Sequence, residues 1–297
     1  MTFDLWKANM SFSYYQSIDE FLGARESRYF GFGYVNTKQV ISDFSLAENG
    51  ETLGFSCIGS VLLPDVWSAK GGSMQKPHLS SIDAIEFAIE CLGRVFHQAF
   101  PGDEFSIELV EKMEVFAGKD PVEECLEAIP LNGSIRESRP GTYLLEMEIS
   151  SMKVSLVFLR ELRKSQFVVG QEKQSIVIND LMLNEGALNA SAIVLPDRKN
   201  ITESWALSSC FAAGLQLGQV LLYKLDNLSR EASNTLWMRR LSIVVSPGIP
   251  ALDMPQPIYT KLKKVKKLHI AREDWRCATI SSIMCNTHID CDVAHKV

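Results

Sequence analysis

The sequence lacks most features that mark secreted, membrane-spanning and nucleic-acid-binding proteins. Its seven cysteines include no C-x-x-C pair, so neither a disulfide framework nor a zinc site is expected. The formal net charge is −6, whereas a nucleic acid partner calls for a basic surface. The longest uncharged run, 206–223, contains serines and glutamines and predicts a buried helix rather than a membrane span. We expect a cytoplasmic protein without a membrane or nucleic acid partner.

Motifs of several enzyme classes are missing as well. The sequence has no Gly-x-Gly-x-x-Gly segment for a dinucleotide and no Gly-x-Ser-x-Gly segment for an α/β-hydrolase nucleophile. Neither a cofactor nor a metal ion is expected. The composition is otherwise globular, with 46% hydrophobic and 22% charged residues among 297, which is enough for two domains of ordinary size.

A weak internal repeat is present. Three short segments of the first half recur in the same order in the second half, and the separation is nearly constant. The pairs are 61–65 with 193–197, 92–96 with 217–221, and 149–152 with 280–283. Three matches in order suggest a duplicated unit. We predict two domains, 1–165 and 166–297.

Each half has the pattern of a strand, an apolar helix and then several antiparallel strands. In the first half Ile82, Ile85 and Ile89 recur at helical spacing. In the second half, 205–223 is almost uncharged on every side, which is typical of a helix enclosed by a sheet. This order predicts an α+β protein with a double hotdog fold, in which two curved antiparallel sheets each wrap a central helix.

Changes of the apolar phase predict the turns between the later strands. The phase shifts by one residue at Ser150-Ser151 and again at Ser281-Ser282, as expected at tight hairpin turns. The segment 118–141, which contains three prolines, is predicted to be a loop or excursion within the first half.

The densest polar segment of the first half is 67–83, between the end of a strand and the helix. It is longer than its counterpart in the second half, and an enlarged loop on a repeated scaffold is a common location of function. His78 is the candidate general base, because an imidazole exchanges a proton near neutral pH; a surface histidine is the alternative. Asp83 is the second catalytic candidate, as a group that orients His78 or binds a substrate hydroxyl. Alternatively, Asp83 forms a capping box with Ser80.

Other residues are candidates for binding a substrate: Lys70, Gly71, Gly72, Gln75, Gln216, Gln219, Asn234, Trp237, Arg239 and His295. The segment 70–72 could contact a phosphate, although such a sequence is also common in turns. The two glutamines of the apolar helix need partners, which are either a ligand or facing backbone. An Arg near a Trp on one strand face could bind a phosphate or carboxylate, and a solvated salt bridge is the alternative. The last histidine is either a core residue or a pocket residue.

Several of these segments resemble one known family, the AvrD (avirulence protein D) family of bacteria. The resembling stretches are 17–23, 28–34, 77–84, 216–223, 233–239 and 293–295, which together span nearly the whole chain. The string Ser-Asn-Thr-Leu-Trp-Met-Arg at 233–239 is specific. At the start of the second helix, 203–205 has no His or Asp counterpart to the first half, so a single active site is expected.

The resemblance implies an enzyme of small-molecule biosynthesis. It would join a 3-oxoacyl thioester, carried by acyl carrier protein or CoA, to a five-carbon ketose such as xylulose or xylulose 5-phosphate. The product would be an acyl-sugar lactone of the syringolide type, by analogy with the butenolide-forming enzymes of the AfsA type. In this reaction His78 would remove a proton, the helix start at 80–83 would polarise the thioester carbonyl, and Lys70 or Arg239 would hold a sugar phosphate.

Two other functions fit the same residues. A hotdog dehydratase or thioesterase would act on acyl thioesters without a sugar acceptor. A non-catalytic module would bind an acyl chain or lactone without needing His78 and Asp83. The concentration of polar residues in one enlarged loop favours an enzyme. The sequence leaves a homodimer open.

Overall fold

A computed structural model describes residues 12–99, 110–159, 172–197, 205–246, 254–270 and 272–297. The described residues begin with β1 (Phe12–Ser17), α1 (Asp19–Leu22), a 3-10 turn (Arg25–Ser27), a π turn (Tyr29–Gly33) and α2 (Tyr34–Asn36). The first half continues with β2 (Lys38–Asn49), β3 (Thr52–Leu62), β4 (Ala69–Lys70), β5 (Ser73–Met74), α3 (Ser81–Ala99), β6 (Val110–Phe116), β7 (Ile129–Arg139), β8 (Thr142–Ile149) and β9 (Met152–Leu159). The second half contains β10 (Ile176–Asn184), β11 (Asn189–Pro196), α4 (Leu207–Asp226), β12 (Trp237–Val245), β13 (Gln256–Ile270), β14 (Glu273–Met284) and β15 (Thr287–Lys296).

One continuous antiparallel sheet contains both halves of the duplication. Its strand order is β1-β10-β11-β13-β14-β15-β12-β6-β9-β8-β7-β3-β2. Counted outwards from the middle of the sheet, the first half has the order β6-β9-β8-β7-β3-β2 and the second half has the order β12-β15-β14-β13-β11-β10. Corresponding strands occupy the same places, so the topology supports the duplication. The halves meet where β6 pairs with β12, with Val115 opposite Leu241. The predicted domain boundary near residue 165 lies outside the described residues and stays a prediction.

The first strand lies apart from the half in which the sequence places it. β1 pairs with β10, with Tyr14 opposite Met182, and forms the outer edge of the second half's sheet. Ile18, which follows it, donates its backbone N–H to Ile178 O at 3.0 Å. The N-terminal segment therefore connects the two halves.

Each half encloses one helix, as the double hotdog prediction requires. α3 buries one apolar stripe that includes Ile82, Ile85 and Phe87. α4 is buried continuously from Leu207 to Gly218, and it contacts β10, β11, β13, β14 and β15. A helix without a polar face is stable here because strands cover it on most sides. The fold prediction is confirmed, and no helix among the described residues is long and apolar enough to cross a membrane.

The two predicted serine turns have different outcomes. Ser150 and Ser151 connect β8 to β9, so this prediction is confirmed. The second prediction is wrong, because Ser281-Ser282 lies inside β14 and the turn follows at 285–286. Residues 279–282 are all buried and pair with β13 and β15 on both sides, so the strand continues through the two serines. The repeat pair 149–152 and 280–283 is therefore not structurally equivalent.

The loop prediction for 118–141 is wrong in its second part. Residues 129–139 form β7, an internal strand between β3 and β8. Pro130 is the second residue of this strand, where a missing N–H donor is tolerated, and the residue Pro140 belongs to the turn that follows. The first part of the segment is a loop, as predicted.

Helix α4 approaches the sheet closely because it presents glycines to β14. A Cβ atom added to Gly218 would lie 2.4 Å from Ile280 Cδ1, and one added to Gly214 would lie 2.6 Å from Ser282 Oγ. The small residues therefore set the distance between the helix and the sheet.

We expect Gly218→Ala to lower the free energy of unfolding by about 1–3 kcal/mol, because the added methyl group overpacks the core against Ile280. Gly54→Ala is the control, since its Cβ would meet only Ala47 O at an ordinary 3.6 Å. Urea denaturation of both variants measures the difference. Equal stabilities would contradict the close packing of α4.

Candidate active site

A cavity of about 970 Å³ lies between the two halves. The first half contributes residues of the loops 67–81 and 117–123, and the second half contributes residues of α4, of 230–239 and of β14 and β15. Side chains 28–30 complete the wall. The cavity therefore depends on both halves.

His78 is a wall residue of this cavity and lies between two tryptophans. Its ring centroid is 5.0 Å from that of Trp67, in the same loop, and 5.4 Å from that of Trp237, the first residue of β12. The Nδ1 atom lies 3.4 Å from Lys76 O. Burial lowers the pKa of His78 below its ordinary value of 6.5, although the Lys76 carbonyl and Asp83 act in the opposite direction. At neutral pH the imidazole is therefore uncharged and can accept a proton.

Asp83 forms a capping box with Ser80, which the sequence analysis gave as the alternative to a catalytic role. Its Oδ2 accepts hydrogen bonds from the N–H and Oγ of Ser80, both at 2.7 Å, and its own N–H donates to Ser80 Oγ at 3.1 Å. Its Oδ1 accepts a bond from Gln39 Nε2 at 2.5 Å. The residue is 0% exposed and is not part of the cavity wall. Asp83 therefore fixes the start of α3, and a direct contact with substrate is not supported.

The pKa of Asp83 reflects these competing effects. Burial raises it, whereas the bonds from Ser80 and Gln39 and the charge of Lys173 lower it. Lys173 Nζ donates to Gln39 Oε1 at 2.8 Å, and the Tyr29 hydroxyl lies 2.5 Å from Ser80 Oγ. A buried polar network thus connects the helix start to Tyr29, which lines the cavity.

The capping box leaves the first N–H groups of α3 available. Ser80 and Ser81 line the cavity, and Ser80 satisfies the N–H of Asp83. Among the described residues no hydrogen bond uses the N–H groups of Ser81 and Ile82, as is usual for the first turn of a helix. These donors, with the positive end of the helix dipole, can stabilise negative charge on an oxygen atom.

The glycine pair predicted to contact a phosphate forms a turn. Gly71 and Gly72 have φ values of 53° and 77° and connect β4 to β5, outside the cavity wall. Lys70 lines the cavity, and its Nζ donates to Ser233 Oγ at 3.1 Å and to Asn234 O at 2.9 Å. The turn therefore directs a lysine across the seam rather than presenting backbone N–H groups.

The predicted glutamines have separate roles. Gln75 and Gln219 line the cavity, and no side-chain hydrogen bond of Gln219 occurs among the described residues. Gln216 is buried and donates from Nε2 to Phe30 O at 2.9 Å. Its partner is therefore a facing backbone group and not a ligand. Its effect is to hold the segment 28–30 against α4.

Trp237 and Arg239 reach the cavity through an irregularity at the start of β12. The register with β15 shifts between Met238 and Arg240, so Arg239 is the extra residue of a bulge, and all of 237–239 line the cavity. A bulge re-aims side chains in this way. Asn234 contributes only its carbonyl oxygen, to Lys70, and is not in the wall.

Of the two alternatives for His295, a core residue or a pocket residue, the structure shows the core residue. It is 0% exposed, and its Nε2 lies 3.1 Å from Asp226 Oδ2. Arg276 Nε donates to the same carboxylate at 2.9 Å. Burial lowers the pKa of His295, and Asp226 opposes this effect. The pair attaches β15 to the end of α4, and His295 is not in the cavity wall.

Two arginines of the cavity wall were not predicted from the sequence. Arg28 and Arg230 are both buried and line the cavity. α4 ends where Asn227 adopts the left-handed conformation, with φ 51° and ψ 46°, and the Leu228 N–H donates to Tyr223 O at 2.8 Å. This turn brings Arg230 back to the seam. No periodicity marks either residue, although Arg28 falls in a segment that resembles the AvrD family.

Two helix-in-sheet units with a shared cavity define a double hotdog protein with a site at its seam. The chain belongs to the family described as Pseudomonas avirulence D protein (AvrD), which it matches over residues 13–181 and 202–297. The resemblance found in the sequence is confirmed. No match to the sequence was found among the curated proteins.

Solved structures of similar fold include enzymes and a protein of unknown function. The tesB protein of Mycobacterium avium subsp. paratuberculosis is 7% identical, with a TM-score of 0.49 over 85% of this chain and 96% of that one. The dehydratase domain of RzxB from Pseudomonas fluorescens is 10% identical, with a TM-score of 0.46 over 85% and 97%. A hot dog protein of Alicyclobacillus acidocaldarius is 7% identical, with a TM-score of 0.42 over 85% and 96%. Likenesses of this extent assign no chemistry to this chain.

We expect Asp83→Ala to lower the free energy of unfolding by about 1–3 kcal/mol, because the buried N–H and hydroxyl of Ser80 lose their acceptor. Chemical denaturation measures the loss. Asp65→Ala, which changes an exposed carboxylate without a hydrogen bond among the described residues, should have little effect. An Asp83→Ala variant as stable as the parent protein would exclude the capping role.

Proposed function

We propose that this protein condenses a 3-oxoacyl thioester with a five-carbon ketose to give an acyl-sugar lactone. The observation that carries the proposal is the position of His78 and the start of α3 on one wall of a cavity that also has an apolar part. Membership of the AvrD family is consistent with this chemistry. In its broader form, the proposal is that this protein is an enzyme that acts on acyl thioesters.

The apolar part of the cavity suits the acyl chain. Its side chains come mainly from the second half: Leu215, Leu236, Met238, Ile270 and Val293. Apolar surface of this kind binds an alkyl chain without offering hydrogen bonds. A thioester carbonyl near Ser81 could accept hydrogen bonds from the free N–H groups of the helix start, which would stabilise the oxyanion that forms during acyl transfer.

His78 has the properties of a general base for both steps. In the first step a ketose hydroxyl attacks the thioester carbonyl, a C–O bond forms, the C–S bond breaks, and the hydroxyl proton passes through His78 to the departing thiolate. In the second step His78 removes a proton from the carbon between the two carbonyls. This carbon then attacks the ketose carbonyl, the new C–C bond closes the lactone ring, and the proton returns from His78 to the alkoxide. Loss of this hydroxyl together with the second proton of the same carbon releases water and forms the C=C bond. Both steps require an uncharged imidazole at the start.

Mass spectrometry of reaction mixtures tests the proposal. The purified protein is incubated with a 3-oxoacyl thioester alone, with xylulose and with xylulose 5-phosphate. A new acyl-sugar mass that depends on the ketose supports condensation. Free acid or a dehydrated acyl product without ketose would instead assign a thioesterase or dehydratase. Binding of the thioester without turnover in any mixture would assign a non-catalytic module.

We expect His78→Ala to reduce the rate of product formation by about 100-fold or more, because the proton acceptor is lost. His97→Ala is a suitable control, since His97 lies on the exposed side of α3 and outside the cavity wall. Circular dichroism of both variants checks that the fold is intact. Full activity of His78→Ala would remove this residue from the mechanism.

The pH dependence should follow from the lowered pKa of His78. A general base works in its deprotonated form, so a lower pKa extends activity towards acidic pH. We expect kcat/KM to stay level as the pH falls from about 8 and to decrease only below 6.5, the ordinary pKa of the imidazole. A decrease centred above this value would contradict the assignment of His78 as the base.

A further inference from the structure

One part of the cavity wall carries three cationic side chains: Arg28, Lys70 and Arg230. The proton transfers assigned to His78 use none of them. Arg28 is 3% exposed and Arg230 is 6% exposed, which is unusual for arginine. Charged groups buried to this extent normally have a partner of opposite charge.

Hydrogen bonds hold the three cations together. Arg230 Nη2 donates to Ser27 O at 3.1 Å and to Ala69 O at 2.7 Å, the carbonyls just before Arg28 and Lys70. Lys70 Nζ in turn donates to Ser233 Oγ, and this hydroxyl donates to Arg230 O at 2.7 Å. The cluster is therefore built from three separate segments, and its geometry is fixed by backbone contacts.

The positive charge of the cluster is only partly neutralised. Arg28 pairs through Nη2 with Asp19, but its Nε and Nη1 atoms are buried without a hydrogen-bond partner. Within the described ranges neither Lys70 nor Arg230 forms an ion pair with a carboxylate. Of the three other lysines of the cavity wall, Lys76 pairs with Glu123 and Lys296 with Glu273, both at 2.7 Å, and Lys119 is exposed.

The pKa values agree with an uncompensated cluster. Burial lowers the pKa of Lys70 to about 8, and the nearby Arg230 acts in the same direction, while Glu231 opposes them. Burial also lowers the pKa of Arg28 to about 10, with Arg230 adding to the effect and Asp19 opposing it. An anion bound among these groups would reduce both the repulsion and the number of unpaired donors.

We propose that Arg28, Lys70 and Arg230 form a subsite for the phosphate group of a phosphorylated substrate. Guanidinium groups bind phosphate oxygens through paired N–H donors, and the ammonium adds a compact charge. The inference deepens the proposed function and rests on it for the identity of the substrates. The phosphate belongs either to a ketose phosphate or to coenzyme A, since both offer the same chemistry to the cluster.

Calorimetric titration with matched ligands tests the subsite without relying on turnover. The four ligands are xylulose 5-phosphate, xylulose, 4′-phosphopantetheine and pantetheine, so that each pair differs only by a phosphate group. We expect at least one phosphorylated ligand to bind about tenfold more tightly than its phosphate-free counterpart, which is about 1.4 kcal/mol. A preference for xylulose 5-phosphate assigns the subsite to the acceptor, and one for 4′-phosphopantetheine, the thiol-bearing part of coenzyme A, assigns it to the donor. Equal affinities within both pairs overturn the proposal.

Three variants connect the preference to the cluster. Lys70→Gln removes one charge, and Arg28→Lys keeps the charge beside Asp19 but removes the unpaired guanidinium donors. Both should reduce the tenfold preference for phosphate and leave the affinity for the phosphate-free ligand unchanged. Lys296→Gln, a cavity lysine outside the cluster, should preserve the preference. Thermal unfolding checks the fold, and if Arg28→Lys is unfolded, Lys70→Gln still decides.

The outcome separates this inference from the condensation itself. Phosphate-dependent binding by a protein that forms no acyl-sugar product would overturn the condensation and keep the subsite. The opposite result is formation of product from xylulose by a protein whose preference for phosphorylated ligands is unchanged in Lys70→Gln and Arg28→Lys. This result would keep the condensation and overturn the subsite.

Discussion

Antiparallel pairing between β6 and β12 is the interaction on which the rest of the structure depends. It joins two duplicated sheets into one and sets the register at which the second half meets the first. Because β12 begins with Trp237, this register brings an aromatic ring of the second half to within 5.4 Å of the ring of His78. The cavity is therefore a property of the pair of halves. The two halves share one topology, and the loop that carries the imidazole belongs to the first half.

Much of the fold could be predicted because it follows from periodicity. The helices around Ile82 and at 205–223 were recognised from their apolar patterns, and so was the succession of a strand, a helix and several antiparallel strands in each half. The errors occurred where one local pattern fits two structures. A pair of small polar residues is typical of a turn, yet Ser282 is buried in a strand because Gly214 of α4 lies against it. Only the three-dimensional packing distinguishes these cases.

The candidate site could be predicted in part, and the limits have a physical reason. Six predicted residues lie on the cavity wall: His78, Lys70, Gln75, Gln219, Trp237 and Arg239. Two others, Gln216 and His295, bind partners inside the protein. A buried polar residue looks the same in a sequence whether its partner is a ligand or a carbonyl group. Arg28 and Arg230 were missed because no spacing connects them. They meet only because the chain turns at Asn227 and Arg230 then donates to the carbonyl groups of Ser27 and Ala69.

The position of β1 has a consequence for how this protein can vary. From β1, on the outer edge of the second half's sheet, the chain crosses to form the strands of the first half and returns to form the rest of the second half. Neither duplicated unit is therefore a separable module: a fragment starting at β10 would leave a bare strand edge, and one ending at β9 would carry an unpaired strand. Exchange of a single half would therefore separate β1 from β10, the strand with which it pairs.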